Sequence, residues 1–160
     1  KQITFWTMGS LNGSKYANAL ALAVAFVIFG GILFIKAREL NAFAVGEDNA
    51  RNIGVDVKRT KLTVLICVSA LIGVCVSIGG TIAFVGLVTP HAARFIAGPN
   101  HKRLLSASAF AGAIFLMLCD LAARTLLSPL ELPIGVVTSL IGAVAFIIIF
   151  YRARGKSGRA

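Results

Sequence analysis

The sequence predicts an all-α protein, a polytopic transmembrane helical bundle of about five crossings. Three observations predict it. Apolar residues make up 58% of the 160 residues and charged residues only 14%, against roughly one quarter charged in an average soluble domain. Apolar runs of the length needed to cross about 30 Å of hydrocarbon, roughly 20 residues each as helix, recur along the chain. Lys and Arg gather in alternate connections between those runs.

The first run, residues 17–35, is closed by Lys36 and Arg38. From Leu62 to Ala93 no residue carries a formal charge, and one helix of that length would measure about 48 Å at about 1.5 Å per residue. That is too long for one straight crossing. Gly79-Gly80 is the natural break, because glycine weakens a helix and permits a turn. The stretch therefore divides into crossings 62–79 and 81–97. Residues 104–127 supply a fourth crossing and 132–151 a fifth, with Ser128-Pro129, Glu131 and Pro133 between them. The positive-inside rule supports this division. Of the 16 Lys and Arg residues, only Lys1, Lys15 and Arg124 fall on one side, which puts the C-terminus in the cytoplasm. The chain starts at Lys1 with no visible signal peptide, which suggests a fragment or a processed chain.

The net charge of +10 does not point to nucleic acid, since the basic residues are spread between apolar runs and not clustered on one face with aromatic readers. Cys67, Cys75 and Cys119 lie inside apolar segments without metal-ligand or Cys-x-x-Cys spacing. They read as buried small hydrophobes.

Residues 39–61, ELNAFAVGEDNARNIGVDVKRTK, form a cytoplasmic loop too polar to span a membrane. Leu40, Phe43, Ala44 and Val45 suit one amphipathic turn. Glu47 and Asp48 suit the start of a second short helix, where carboxylates favour the positive end of the dipole, and Gly54 suits its close. Joined at Gly46, the two make a compact knob. It reads either as a loop lying on lipid headgroups or as a docking element, and its mixed charge favours a protein partner over lipid alone.

Several residues within or beside the apolar runs are polar or break helices. Asp120 and Arg124, at i and i+4, share a helix face and can pair, which lowers the cost of a lone charge in lipid, about 2.5–3.5 kcal/mol on insertion scales. The pair reads as an interhelical or intrahelical lock, as a proton or ion relay, or as an outward-facing dock for an acidic partner. Glu131 and Pro133 suit the turn and first helical positions before the last crossing. In GGTIAFVGLVTPHAARF, residues 79–95, Pro90 loosens a short inward-heading helix, while His91 and Arg94 fall near the cytoplasmic headgroups, where Arg94 can snorkel. His91 has no second ligand at metal spacing and reads as structural. Gly135, Ser139 and Ala143 recur every four residues and suit close approach of another helix.

The long segments GGTIAFVGLVTPHAARFIAGPNHKRLLSASAFAGAIFLMLCDLAART and LELPIGVVTSLIGAVAFIIIF resemble the last three crossings of the permease subunits of bacterial ABC importers for ferric siderophores, haem and cobalamin. AVGEDNARNIGVDV is similar to that family's coupling loop, and WTMGSLNG to the outer segment before its sixth crossing. The resemblance covers essentially the whole chain and implies the C-terminal half of a permease with about ten crossings in the bacterial inner membrane. It implies a second permease copy, two cytoplasmic ATPase subunits that use the ATP, and an extracytoplasmic substrate-binding protein. No Walker A lysine motif occurs in this chain. Gly46, Glu47, Asp48, Asn49, Ala50, Arg51 and Gly54 would then form the ATPase-coupling loop, with Arg124 and Glu131 docking the binding protein. Gly79, Gly80, Pro90, His91, Arg94, Asp120 and Pro133 would be structural, FVGLVTPH being a packing and turn element. The gate would lie mainly in the other half of the family's chain.

The resemblance implies a transport subunit with no catalytic, cofactor or metal residues of its own, moving an iron-siderophore-type chelate inward by alternating access. A proton-coupled secondary transporter using Asp120 and Arg124 is the alternative. An intramembrane enzyme is disfavoured: His-Glu-x-x-His and Gly-x-Gly-Asp are absent, and Ser10 lacks the Gly-x-Ser-x-Gly context.

Overall fold

The structure, a computed structural model, describes residues 8–11, 14–125 and 132–157. All regular structure among them is helical. Helix α1 spans Tyr16–Phe43, α2 Glu47–Asn52, α3 Val57–Gly79, α4 Val85–Ala97, α5 His101–Thr125 and α6 Ile134–Ser157. Three of them, α1, α3 and α5, with 28, 23 and 25 residues, are long and apolar enough to cross a membrane.

The first helix runs well beyond the apolar stretch that defines it. Its last two turns, ending at Phe43, take up the residues expected to form a separate turn of the loop. Charged residues can extend a helix past the hydrocarbon because its backbone bonds are satisfied internally. Within α1 the five residues Phe26–Gly30 form a π turn. A bulky run, Phe-Val-Ile-Phe, there meets the pair Gly30-Gly31, and the Phe26 ring packs over Gly30, 3.7 Å from where a Cβ would stand.

Helix α3 begins at a built cap. The Asp56 carboxylate accepts the Arg59 N–H at 3.1 Å and pairs with the Arg59 side chain at 3.0 Å, satisfying one of the first-turn donors. It ends at Gly80, where φ is 69°, a value that side-chain-bearing residues rarely adopt. The break at Gly79-Gly80 is thus where the sequence puts it, but the next helix begins only at Val85. The intervening residues are irregular, and Phe84 takes the left-handed conformation with φ 66° and ψ −19°. With 13 residues, α4 measures about 20 Å, short of the hydrocarbon thickness.

Helix α4 packs chiefly on α5, and also on α6. Its buried face is Val88, Thr89 and Ala93. Helix α1 packs on α3 and α5, and α2 lies against the neighbouring ends of α1 and α3. Ile134 at 2% apart, the residues most fully buried are small: Ala37 and Ala50 at 0%, Cys119 at 1%, Ala93 and Ala123 at 2%, Thr60 at 1% and Thr138 at 0% exposure. Large side chains such as Val27, Phe110 and Leu140 face outward. Small residues inside and large apolar ones outside is the packing of helices in lipid, where close backbone approach replaces a hydrophobic driving force. Cys67 and Cys119 are buried, whereas Cys75 is exposed. The expectation of three buried cysteines therefore holds for two.

The core sits at the end of the bundle opposite α2. Cys119, Ala123, Ile134 and Val137 form it, with Leu11, Ile82, Phe115 and Leu132 packed around them. Gly135 stands where any Cβ would meet the carbonyl of Met8, and Gly142 where one would meet the Phe84 side chain. Irregular backbone and the Phe84 turn thus fill the space beside Gly135 and Gly142, while α6 also packs on α4 and α5.

Candidate functional site

At one end of the bundle the chain between α1 and α3 builds a small projecting unit. Gly46 precedes α2 with φ 124° and ψ 147°, a backbone state open essentially to glycine alone. It lets the chain reverse from α1 into α2 within three residues. Glu47 and Asp48 occupy the first turn of α2 and Arg51 its last, matching the helix dipole at both ends. Asn49 donates from its side-chain amide to the Val45 carbonyl at 3.1 Å, bracing the turn across Gly46. The backbone then closes on itself: Gly54 N–H donates to Arg51 O at 2.9 Å and Val55 N–H to Ala50 O at 3.0 Å. Ala50 is fully buried while Glu47, Asp48 and Arg51 are exposed.

This unit is tied to the helices that carry it. Lys61 of α3 forms an ion pair with Glu47 of α2. Lys36 pairs with Glu39 at 2.6 Å along α1, and the hydroxyl of Thr60 on α3 donates to the other Glu39 oxygen. Thr60 is 1% exposed and the Glu39 side chain 30%, so that bond joins α1 and α3 at a partly buried site. Glu39, Thr60 and Lys61 carry no mark in the sequence beyond their place in a charged connection.

On α4, Pro90 lies in the helix interior, where it has no N–H to give the carbonyl four residues earlier. Its neighbours bond backward instead. Thr89 Oγ1 donates to Val85 O at 2.7 Å, and the His91 ring Nδ1 lies 2.9 Å from Leu87 O. His91 and Arg94 are both exposed, Arg94 in the last turn.

At the opposite end, Arg124 Nε donates to Asp120 Oδ2 at 2.9 Å. Their side chains are 50% and 30% exposed, so the pair leaves the guanidinium presented outward. Pro133 stands just before α6, and its carbonyl accepts the Val136 N–H at 3.1 Å. Glu131 lies outside the described residues, as do Ser128 and Pro129. The Gly79 carbonyl accepts the Ser10 N–H at 3.0 Å, which holds the segment before α1 against the α3–α4 turn. Among the described residues no group of three or more His, Cys, Asp or Glu side chains is gathered at either end.

The two ends of the bundle thus carry a short helical unit on charged helix ends and the Asp120–Arg124 ion pair. The model of the FecCD transport family matches residues 1–152. The chain belongs to the FecCD transport family. Its FecCD relatives include an ABC transporter permease protein of Bacillus subtilis, YvrB, 42% identical over 99% of this chain and 44% of the relative. The hemin transport system permease protein HmuU of Yersinia pestis is 38% identical over 96% of this chain and 46% of its own length. Among solved structures, a metal-chelate type ABC transporter in an inward-facing conformation matches with a TM-score of 0.89 and 35% identity, covering 94% of this chain and 49% of that one. The chain thus spans about half the length of the relatives it matches. These relatives are named as permease or transporter proteins, and the fold of this FecCD chain is that of an ABC permease.

Proposed function

We propose that this chain is the C-terminal half, crossings six to ten, of the permease subunit of an ATP-driven importer. It sits in the bacterial inner membrane with its C-terminus in the cytoplasm. Two permease copies enclose the path, two cytoplasmic ATPase subunits grip the α2 unit, and an extracytoplasmic binding protein docks over Arg124 and Glu131. The cargo is an iron-siderophore-type chelate, moved inward by alternating access. One observation carries this reading: a helix held on a glycine pivot and pinned to α1 and α3, in a chain whose family members are transport permeases. The hemin and metal-chelate transporters among its relatives support a chelate as cargo.

The α2 unit contributes rigidity. With Gly46 setting the reversal, Asn49 bracing it and Lys61 holding Glu47, a push on α2 moves the ends of α1 and α3 with it. Five crossings put the two ends of the chain on opposite faces, and α4 counts as one of them, its irregular approach lying against residues 8–9 and α6.

Uptake by the complete permease, reconstituted in vesicles with its ATPase subunits and its binding protein, tests this. ATP-dependent accumulation of a ferric siderophore, competed by haemin or cobalamin according to the true cargo, is expected. Accumulation driven by a proton gradient without ATP overturns the reading. Labelling of Arg51→Cys from the outside alone would overturn its orientation.

A further inference from the structure

The first turn of α5 is held by a side chain from α1. Asn41 Oδ1 accepts the His101 backbone N–H at 2.8 Å and lies 2.7 Å from the His101 ring Nδ1, which donates to it in the Nδ1–H tautomer. Asn41 Nδ2 donates to Asn100 Oδ1 at 3.5 Å, and Asn100 Oδ1 also accepts the Lys102 N–H at 3.0 Å. Asn100 alone is a sufficient local cap for α5. The additional bonds from Asn41, sixty residues away in sequence, therefore serve to join two helices. A second contact lies two turns up α1, where the Lys102 ammonium stands 5.6 Å from the centre of the Phe34 ring, within cation–π range.

The two helices so joined lead to different places. Two residues after Asn41, α1 ends and the chain enters the Gly46 pivot and α2. From His101, α5 runs without a break to the Asp120–Arg124 pair, about 35 Å away at about 1.5 Å per residue. No glycine pivot, π turn or proline interrupts it, and its small residues pack against α4 and α6. We propose that α5 is the strut linking the ATPase-gripped loop to the binding-protein face, and that Asn41–His101 is the joint through which α1 drives it. This rests on the importer reading. Asn41 and His101 act as positioning residues, touching neither cargo nor nucleotide.

The test uses the complete permease with its ATPase subunits, and reads the change in affinity for the binding protein between the nucleotide-free and ATP-bound complexes. Coupling between two sites is reciprocal, so a joint between them must affect this quantity. In Asn41→Ala and in His101→Ala the nucleotide-dependent change in affinity is expected to shrink by about fivefold or more, the lower end of ordinary coupling factors. The double variant should lose no more than Asn41→Ala alone, since Asn41→Ala already removes the bond to the His101 ring that His101→Ala removes. Asn41→Asp, which keeps the accepting oxygen, should retain most of the parent's change. Singles that keep the full parent change, or losses that multiply in the double variant, overturn the proposal. If Asn41→Ala does not assemble, His101→Ala and His101→Gln give the same comparison from the other partner. A parent complex with no nucleotide-dependent change at all would sink the importer reading itself, a separate outcome.

Discussion

Phe84 and Gly142 occupy one another's space. Phe84 stands in the left-handed region at φ 66°, and its side chain fills the volume that a Cβ on Gly142 would need. A bulky residue held in that conformation costs on the order of 1–3 kcal/mol and persists only where its surroundings impose it. Here the imposition comes from α6. Gly142→Ala is expected to lower stability by about 1–3 kcal/mol, the usual cost of overpacking. Gly73→Ala, where a Cβ meets nothing within 4 Å, should be neutral or stabilising by up to about 1 kcal/mol in a helix interior. Thermal unfolding of the two variants in detergent checks the contrast.

The Gly46 pivot makes a prediction about coupling. A side chain at φ 124° and ψ 147° is strained by about 1–3 kcal/mol whatever space surrounds it. Gly46→Ala is therefore expected to tilt α2 and to reduce cargo moved per ATP hydrolysed severalfold, with hydrolysis itself retained. Parallel uptake and phosphate-release measurements in vesicles read this directly, and an unchanged ratio would remove the pivot from the mechanism.

Thr60→Val keeps the shape of a nearly inaccessible side chain but removes the hydroxyl that donates to Glu39. Glu39 is 30% exposed and keeps its Lys36 partner, so the loss costs about 0.5–1.5 kcal/mol, the net worth of an ordinary hydrogen bond. The melting temperature should fall for Thr60→Val and hold for Thr60→Ser. Equal melting temperatures would mean that the α1–α3 joint depends on packing alone.

The Asp120–Arg124 pair separates two mechanisms. As a half-exposed ion pair it contributes at most about 1 kcal/mol, so in an importer Asp120→Asn should leave uptake within about fivefold of the parent. Arg124→Glu should instead weaken binding-protein docking by about tenfold or more, as truncating or reversing an interface charge does. Charge reversal at an acidic residue of the binding protein should restore it. Uptake abolished by Asp120→Asn, with ATP hydrolysis and assembly intact, would favour the proton-coupled alternative.

Much of the fold was legible because lipid imposes simple rules. The apolar runs mark α1, α3 and α5, and Gly79-Gly80 marks the end of α3 to the residue. The short helix at Glu47 was readable from its acidic start at Glu47 and Asp48 and from the flanking Gly46 and Gly54. Hydropathy is blind to the stretch beyond Gly80, since Thr81 to Phe84 are as apolar as helix and yet are held irregular by contacts with residues 8–11 and α6. It is equally blind to the extension of α1 past Ile35, where propensity and not lipid sets the end. The π turn at Phe26–Gly30 carries no sequence mark beyond a glycine pair. The bonds that pin the loop, Lys61 to Glu47, Thr60 to Glu39 and Asn41 to His101, join residues distant in sequence or ordinary in type. Only the fold reveals their pairing.

The shortness of α4 bears on how the chain is made. Its 13 residues cannot bridge the bilayer alone, and the backbone of residues 80–84 can rest at membrane depth only when protein covers it. Part of that cover is Gly142 on α6, synthesised 58 residues after Phe84, or roughly 3–12 s later at about 5–20 residues per second. Until α6 is made the segment lacks that part of its cover, so a chain truncated before α6 would leave residues 80–84 open to quality-control proteolysis.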